Sequence, residues 1–160
     1  MRPGLENMSS LRSDQVWDAK TGELVATLKG HTREVRCLAW TKTLISGSYD
    51  YSIRTWNTKT WKQIAVLEDT CYVMDIAISA NDRILAIVSG DNAARLWNLD
   101  NGKAISSPVQ HAEQANCVLF SVDGQLLTTG CGDKNAYSWD IATIVRGAGL
   151  DDLLSDPTVS

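Results

Sequence analysis

Four times in this chain a tryptophan is followed directly by an aspartate or asparagine: Trp17-Asp18, Trp56-Asn57, Trp97-Asn98 and Trp139-Asp140. The pairs stand 39, 41 and 42 residues apart. A marker returning at a nearly fixed period means that one supersecondary unit is repeated, each copy burying its apolar faces against its neighbours. The repetition extends beyond the marker. VRCLAW (35 to 40), VMDIAI (73 to 78) and ANCVLF (115 to 120) fall in register, and so do LISGSYD (44 to 50), LAIVSGD (85 to 91) and LTTGCGD (127 to 133). The closing Asp50, Asp91 and Asp133 each stand six residues before their Trp.

The apolar runs are four to seven residues long, rich in Val, Ile, Leu and Trp, and bounded by turn residues, as strands are. Asn101-Gly102 favours a tight hairpin, and Thr21-Gly22 stands at the matching place. Lettered a to d within a unit, strand a is predicted at 34–40, 73–79 and 115–121, and strand b at 43–48, 84–89 and 126–131. Strand c is predicted at 51–57, 93–98 and 135–140, and strand d at 63–68 and 104–110. The first unit offers only c (14 to 17) and d (24 to 28), and the last has no clear d, giving 13 strands.

With GHT at 30 to 32, SGSYD at 46 to 50 and IRTWN at 53 to 57, the chain resembles the WD40 repeat family over about residues 12 to 140. The resemblance implies an all-β fold, a partial WD-type β-propeller. About three complete or nearly complete four-stranded antiparallel blades are expected, plus a half blade and a short C-terminal tail or helix. The expected organisation is an N-terminal tail (1–11), a propeller segment (12–140, in units 12–28, 29–68, 69–110 and 111–140) and a C-terminal tail (141–160). In the tail, Ile141, Ile144, Val145, Leu150, Leu153 and Leu154 form the apolar side of a short helix, read as a cap over the last blade's outer edge.

In that family a His before strand a, a Ser or Thr in strand b, the turn Asp and the strand-c Trp are hydrogen-bonded in each blade. Carried over, the first full unit has His31, Ser46, Asp50 and Trp56, and the third has His111, Thr129, Asp133 and Trp139. The middle unit keeps Asp91 and Trp97, with Asp69 in place of the His and Ile87 in place of the hydroxyl. Each buried polar group left without a partner costs roughly 1–3 kcal/mol, so the middle blade is expected to be the weakest.

Both histidines of the chain fall at these structural positions, which argues against catalytic or metal-binding roles for them. The turn aspartates recur one per blade, too far apart to converge on a substrate. No nucleophile elbow, phosphate loop, metal motif or cofactor motif is present. Cys37, Cys71, Cys117 and Cys131 form no CxxC pair and read as thiols in a reducing compartment. No leader-like apolar segment opens the sequence, and the Asn7-Met8-Ser9 sequon reads as a chance match, so an intracellular, cytoplasmic or nuclear location is expected. The formal charge of -4, with no Lys/Arg cluster, excludes the basic stripe that a nucleic-acid or anionic-membrane surface requires.

The function these features imply is a non-catalytic protein–protein interaction scaffold, without cofactor or metal. In the resembled family the d–a and b–c loops share one face, often used for binding. Residue by residue, that face carries Arg33, Glu34, Tyr49 and Tyr51, then Cys71, Tyr72 and Asn92, then Glu113, Gln114, Lys134 and Asn135. Tyr and Arg are frequent interface anchors. Three arrangements stay open for the array. It is a truncated piece of a larger multidomain WD-repeat protein, or it closes by homodimerisation with segment 24–28 of one copy completing the last blade of another, or it is an open arc whose edges need a partner.

Overall fold

The computed structural model describes residues 14–157. The expected N-terminal tail, the first two residues of the first unit and the last three residues of the chain lie outside the described residues. The short β-branched and aromatic runs form 14 strands among the described residues, joined in sequence into antiparallel sheets. The first sheet pairs β1 (Asp14–Trp17) with β2 (Leu24–Leu28). The first blade runs β3 (Val35–Trp40), β4 (Thr43–Ser48), β5 (Ser52–Asn57), β6 (Gln63–Glu68). The second runs β7 (Val73–Ile78), β8 (Ile84–Ser89), β9 (Ala93–Asn98), with β10 (Lys103–Ala104) and β11 (Val109–Gln110) sharing the outer edge of β9. The third has three strands, β12 (Ala115–Phe120), β13 (Leu126–Cys131) and β14 (Ala136–Asp140).

One expected strand is corrected. The run 104–110 is two short pieces, because Ala104 pairs with Trp97 but Val109 pairs with Ala94, so four residues span a gap that two span on β9. Ile105 stays buried and donates its N–H to Leu96 O at 2.8 Å. Ser106, Ser107 and Pro108 loop outward, where a proline without an N–H breaks no ladder bond.

Each blade has a front facing the preceding sheet and a back facing the next. The back of the first blade (Cys37, Ile45, Ile53, Leu67) packs on the front of the second (Val73, Ile76, Leu85, Ile87). The back of the second (Ile84, Ala86, Val88, Ala94, Leu96) packs on the front of the third (Ala115, Val118, Leu127). β8 is therefore buried at all six positions and reads ILAIVS, with no polar alternation, because both its faces are covered. Fully burying an Ile, Leu or Val contributes roughly 1.5–3 kcal/mol, so this strand is the apolar centre of the array. β7 lies between β3 and β12, placing the three inner strands side by side along the axis.

The tail does not cap β14. Helix α1 (Ile141–Gly147) starts at Asp140, whose carboxylate accepts from Thr143 N at 2.6 Å, and a 3-10 turn follows at Asp151–Leu154. All six expected apolar residues join the core at the seam between the second and third blades. Asn81 Nδ2 donates to Leu153 O (2.8 Å), and Arg83 bridges Asp100 (2.6 Å) and Asp152 (3.0 Å), clipping the tail under the second blade. Among the described residues β14 pairs with β13 alone, so its outer edge stays open.

Candidate functional site

The loop face is held by the buried polar groups beneath it, and these differ blade by blade. In the first blade all four expected residues meet. Asp50 Oδ2 lies 3.0 Å from His31 Nδ1, His31 Nε2 lies 2.7 Å from Ser46 Oγ, and Trp56 Nε1 donates to Ser46 Oγ at 2.9 Å. A carboxylate only accepts, so Nδ1 carries the imidazole proton, Nε2 accepts from the Ser46 hydroxyl, and each of these four side chains is satisfied. Ser52 Oγ (2.6 Å) and Thr32 N (2.9 Å) also donate to Asp50. Burial alone would raise the Asp50 carboxyl, but the hydrogen bonds from Ser52, Thr32 and His31 outweigh it and hold it down to about 2. Asp50 thereby ties the d–a loop to the b–c turn.

The second blade replaces this chain with an ionic cluster. Arg95, two residues before Trp97, reaches Asp91 at 2.5 Å, Asp69 at 3.3 Å and Thr70 Oγ1 at 3.0 Å. Ser89 Oγ donates to Asp69, whose side chain is 1% exposed. Asp91 is held below the usual carboxylate range chiefly by the Arg95 hydrogen bonds. The expectation of a weak middle blade assumed that its polar positions go unserved. Only Trp97 Nε1, in the blade where Ile87 holds the register place of Ser46, is buried without a partner among the described residues.

In the third blade the expected residues are present but do not assemble as one group. His111 Nε2 meets Thr129 Oγ1 at 2.8 Å, while its Nδ1 lies 3.3 Å from Asn92 O instead of from Asp133. Asp133 is captured by the Tyr137 hydroxyl, which stands where Arg54 and Arg95 stand in the other blades, and by Asn135 N at 2.9 Å. The Tyr137 hydrogen bond, then that of Asn135, lowers Asp133 to about 2. Trp139 Nε1 is buried without a partner, its ring edge-on to His111 at 5.8 Å.

Above these groups the loops repeat one clasp. Tyr49 N donates to Glu34 O (3.0 Å), Gly90 N to Tyr72 O (3.0 Å) and Gly132 N to Gln114 O (2.8 Å). Two expected face residues meet across the first seam: the Tyr49 and Tyr72 rings are 5.2 Å apart, edge to face. Tyr72 lies flat over Gly90, where an added Cβ would fall 2.0 Å from its ring, so only glycine admits the aromatic there. Arg36, which sequence reasoning missed, stacks on Tyr49 with its guanidinium 5.1 Å from the ring centroid. Arg36 is the extra residue of a β-bulge between Val35 and Cys37, and the same bulge recurs at Met74 and Asn116. A bulge re-aims one side chain of a strand that otherwise alternates, and no residue type announces it.

The remaining face residues are spread around the rim. Arg33 and Glu34 are exposed beside the Tyr49 clasp. Tyr51 is exposed and lines a separate cleft with Thr32, Arg54 and Asp69. Tyr51, Asn92 and Lys134 occupy equivalent turn positions with φ of 71°, 65° and 71°, a left-handed conformation that Asn accepts and Tyr and Lys adopt at a cost. Asn92 O also accepts from His111 N at 2.9 Å. Glu113 overlies Gly132 and its carbonyl accepts from the Cys131 thiol, while Lys134 and Asn135 are exposed. At the opposite end a groove of about 650 Å³ runs between the first two blades, walled by Ile64, Val66, Arg83, Leu99 and Pro157.

Comparison with known proteins bears on the repeat. The chain is 30% identical over 144 residues to the nuclear distribution protein nudF of Aspergillus niger, covering 85% of this chain and 32% of the relative. It is 30% identical over 132 residues to a coronin-like protein of Saccharomyces cerevisiae, covering 77% and 20%. It is 25% identical over 139 residues to the protein FIZZY-RELATED 3 of Arabidopsis thaliana, covering 82% and 29%. The chain thus spans about a third or less of the length of these curated relatives. The family model for the WD domain, G-beta repeat, matches residues 22–57, 61–98 and 102–140, each match ending on a Trp-Asn or Trp-Asp pair that closes a blade's third strand. The chain belongs to the WD domain, G-beta repeat family.

Proposed function

We propose that this chain is a non-catalytic scaffold inside the cell, and that proteins or peptides dock on its loop face at Arg36, Tyr49 and Tyr72. Membership of the repeat family supports an interaction role. The observation that carries the location is the rack itself: a guanidinium on a tyrosine, edge to a second tyrosine, locked on a glycine. Such a rack offers rigid aromatic area and a cation at little entropic cost, the composition of interface anchors. Both imidazoles are engaged in buried structural hydrogen bonds, which supports the non-catalytic reading. The acidic balance disfavours nucleic acid and anionic membranes.

The test compares proteins captured by the wild-type chain with those captured by Arg36→Glu on the loop face and by Ile64→Glu in the opposite groove. The expected result is loss of partners with Arg36→Glu, about tenfold or more in affinity, and retention with Ile64→Glu. Partners indifferent to Arg36→Glu and lost with Ile64→Glu would move the docking site to the groove.

A further inference from the structure

The two seams within the array show how its faces mate, and both halves of one more seam stand exposed on the same chain. On the front of the first blade Leu38 is 62% exposed, whereas Ile76 and Val118 at the same position of the next blades are 5% and 6% exposed. On the back of the third blade Leu126 is 42% exposed, whereas the equivalent Ile84 is 1% exposed. Trp40 and Leu119 repeat the pattern, more than half exposed on the same two faces.

Side-chain size identifies what fits. On the back of the first blade Cys37 folds over Gly47, and Val73 of the next blade seats against it. A Cβ on Gly47 would fall 2.6 Å from Cys37 Sγ and 2.7 Å from Val73 Cγ1. At the second seam the sizes are exchanged: Val88 stands at the Gly47 position and Ala115 at the Val73 position, in one core cluster. A glycine behind takes a valine in front, and a valine takes an alanine. The back of the third blade again has the notch, Gly130 under Cys117, with Sγ 2.6 Å from where a Cβ would lie. The front of the first blade carries a valine, Val35, at the position of Val73.

We propose that two copies of this chain join head to tail into one ring, the back of each third blade receiving the front of the other copy's first blade, with Val35 seated on Cys117 and Gly130. In the joint blade β12, β13 and β14 are the first three strands and β2 of the partner copy is the fourth, pairing with the open edge of β14 as β6 pairs with β5. Because β1 and β14 are both third strands, β1 yields its place. It is weakly held: four residues in a two-stranded sheet, with Trp17 mostly exposed and Asp14 Oδ2 buried without a partner. Two blades and one joint blade per copy make six in the ring, within the four to eight that closed propellers use. The contact is heterologous, so closure at two copies is part of the claim. It stands apart from the loop-face reading and can fail without it.

The test is solution mass by light scattering, together with site-resolved alkylation of the cysteines, across protein concentration. Cys37 is the internal standard for a covered thiol, since burial raises it to about 12. The expected result is twice the 17.5 kDa chain mass, with Cys117 alkylated at least tenfold more slowly than in Leu38→Glu. Leu38→Glu and Leu119→Glu each change a residue that one copy leaves exposed, so each should keep the wild-type circular dichroism and return the mass to one chain. A single-chain mass at every concentration with rapid Cys117 labelling overturns the proposal, as does an open-ended polymer or a dimer indifferent to both substitutions.

Discussion

In the first blade the buried polar positions form a relay from Asp50 through His31 and Ser46 to Trp56. In the second, Asp69 and Asp91 stand at the places of His31 and Asp50, and Arg95 and Ser89, from outside the relay positions, complete a cluster with a cation forked between two carboxylates. The backbones nonetheless repeat, with the same bulge, the same loop clasp and the same order of the inner three strands. What the architecture requires is that the buried charges find partners, while single indole N–H groups at Trp97 and Trp139 go without; the residue types are interchangeable if the charged set is exchanged together. Single replacements should therefore be worse in the ionic blade, where one loss leaves a full charge without its partner.

Arg95→Ala is expected to have the largest effect. It leaves Asp69 buried and without its cation, and breaking a buried ion pair from one side costs about 3–5 kcal/mol. The loss should be read as a fall in the urea midpoint and as faster amide exchange confined to Ile84–Trp97. In the wild-type chain that segment, covered on both faces, should exchange more slowly than Leu44–Trp56. Equal or faster exchange there would restore the view that the second blade is the weak one. Ser46→Ala comes next, removing the acceptor for Trp56 Nε1 and the donor to His31, for about 2–3 kcal/mol. If Ser46→Ala costs more than Arg95→Ala, the ionic cluster is decoration on an apolar blade.

Acid sharpens the comparison further. Asp50 is depressed to about 2 in the folded chain, so its stabilisation is present above the ordinary carboxylate range and lost as pH falls through about 4 towards 2. Asp91 is lowered as well and acts in the same direction. Urea midpoints between pH 6 and 2.5 should fall for the wild type and fall less steeply for Asp50→Asn, which has no carboxyl to protonate. Parallel curves would mean that the His31 relay does not depend on the Asp50 charge.

Repeat period and strand lettering were legible because they rest on register and residue identity, and the first blade's relay was legible through the family resemblance that names His31, Ser46, Asp50 and Trp56. Three things were not. The ionic cluster escaped because Arg95 lies on strand c, outside the four family positions, and only its reach to Asp69 and Asp91 gives it a role. Third-blade residues of the right type failed to assemble because Tyr137, a neighbour outside the pattern, draws Asp133 away. Arg36 joins the tyrosine rack through a bulge, and bulges follow from pairing geometry that no single strand encodes.

Ile87→Thr gives the smallest effect and tests the interchange rule most directly. Position 87 pairs with Arg95 as Ser46 pairs with Arg54, so it holds the register place from which Ser46 serves Trp56, and Trp97 Nε1 is buried with no acceptor. Exchanging a fully buried Ile for Thr loses roughly one methylene and one methyl of apolar contact and adds a hydroxyl that must be satisfied. At an ordinary core site the sum is about 2–3 kcal/mol unfavourable. Here the new oxygen can accept from Trp97 Nε1, and that bond returns about 1 kcal/mol, so the net cost should be no more than about 1–2 kcal/mol. The hydroxyl proton still lacks the imidazole that takes it in the first blade, because Asp69 is engaged with Ser89 and Arg95. A change in tryptophan emission that reports the new indole hydrogen bond, with a midpoint close to wild type, would show that the two sets can be mixed one residue at a time. A full core-type penalty would show instead that each network is accepted or refused as a whole.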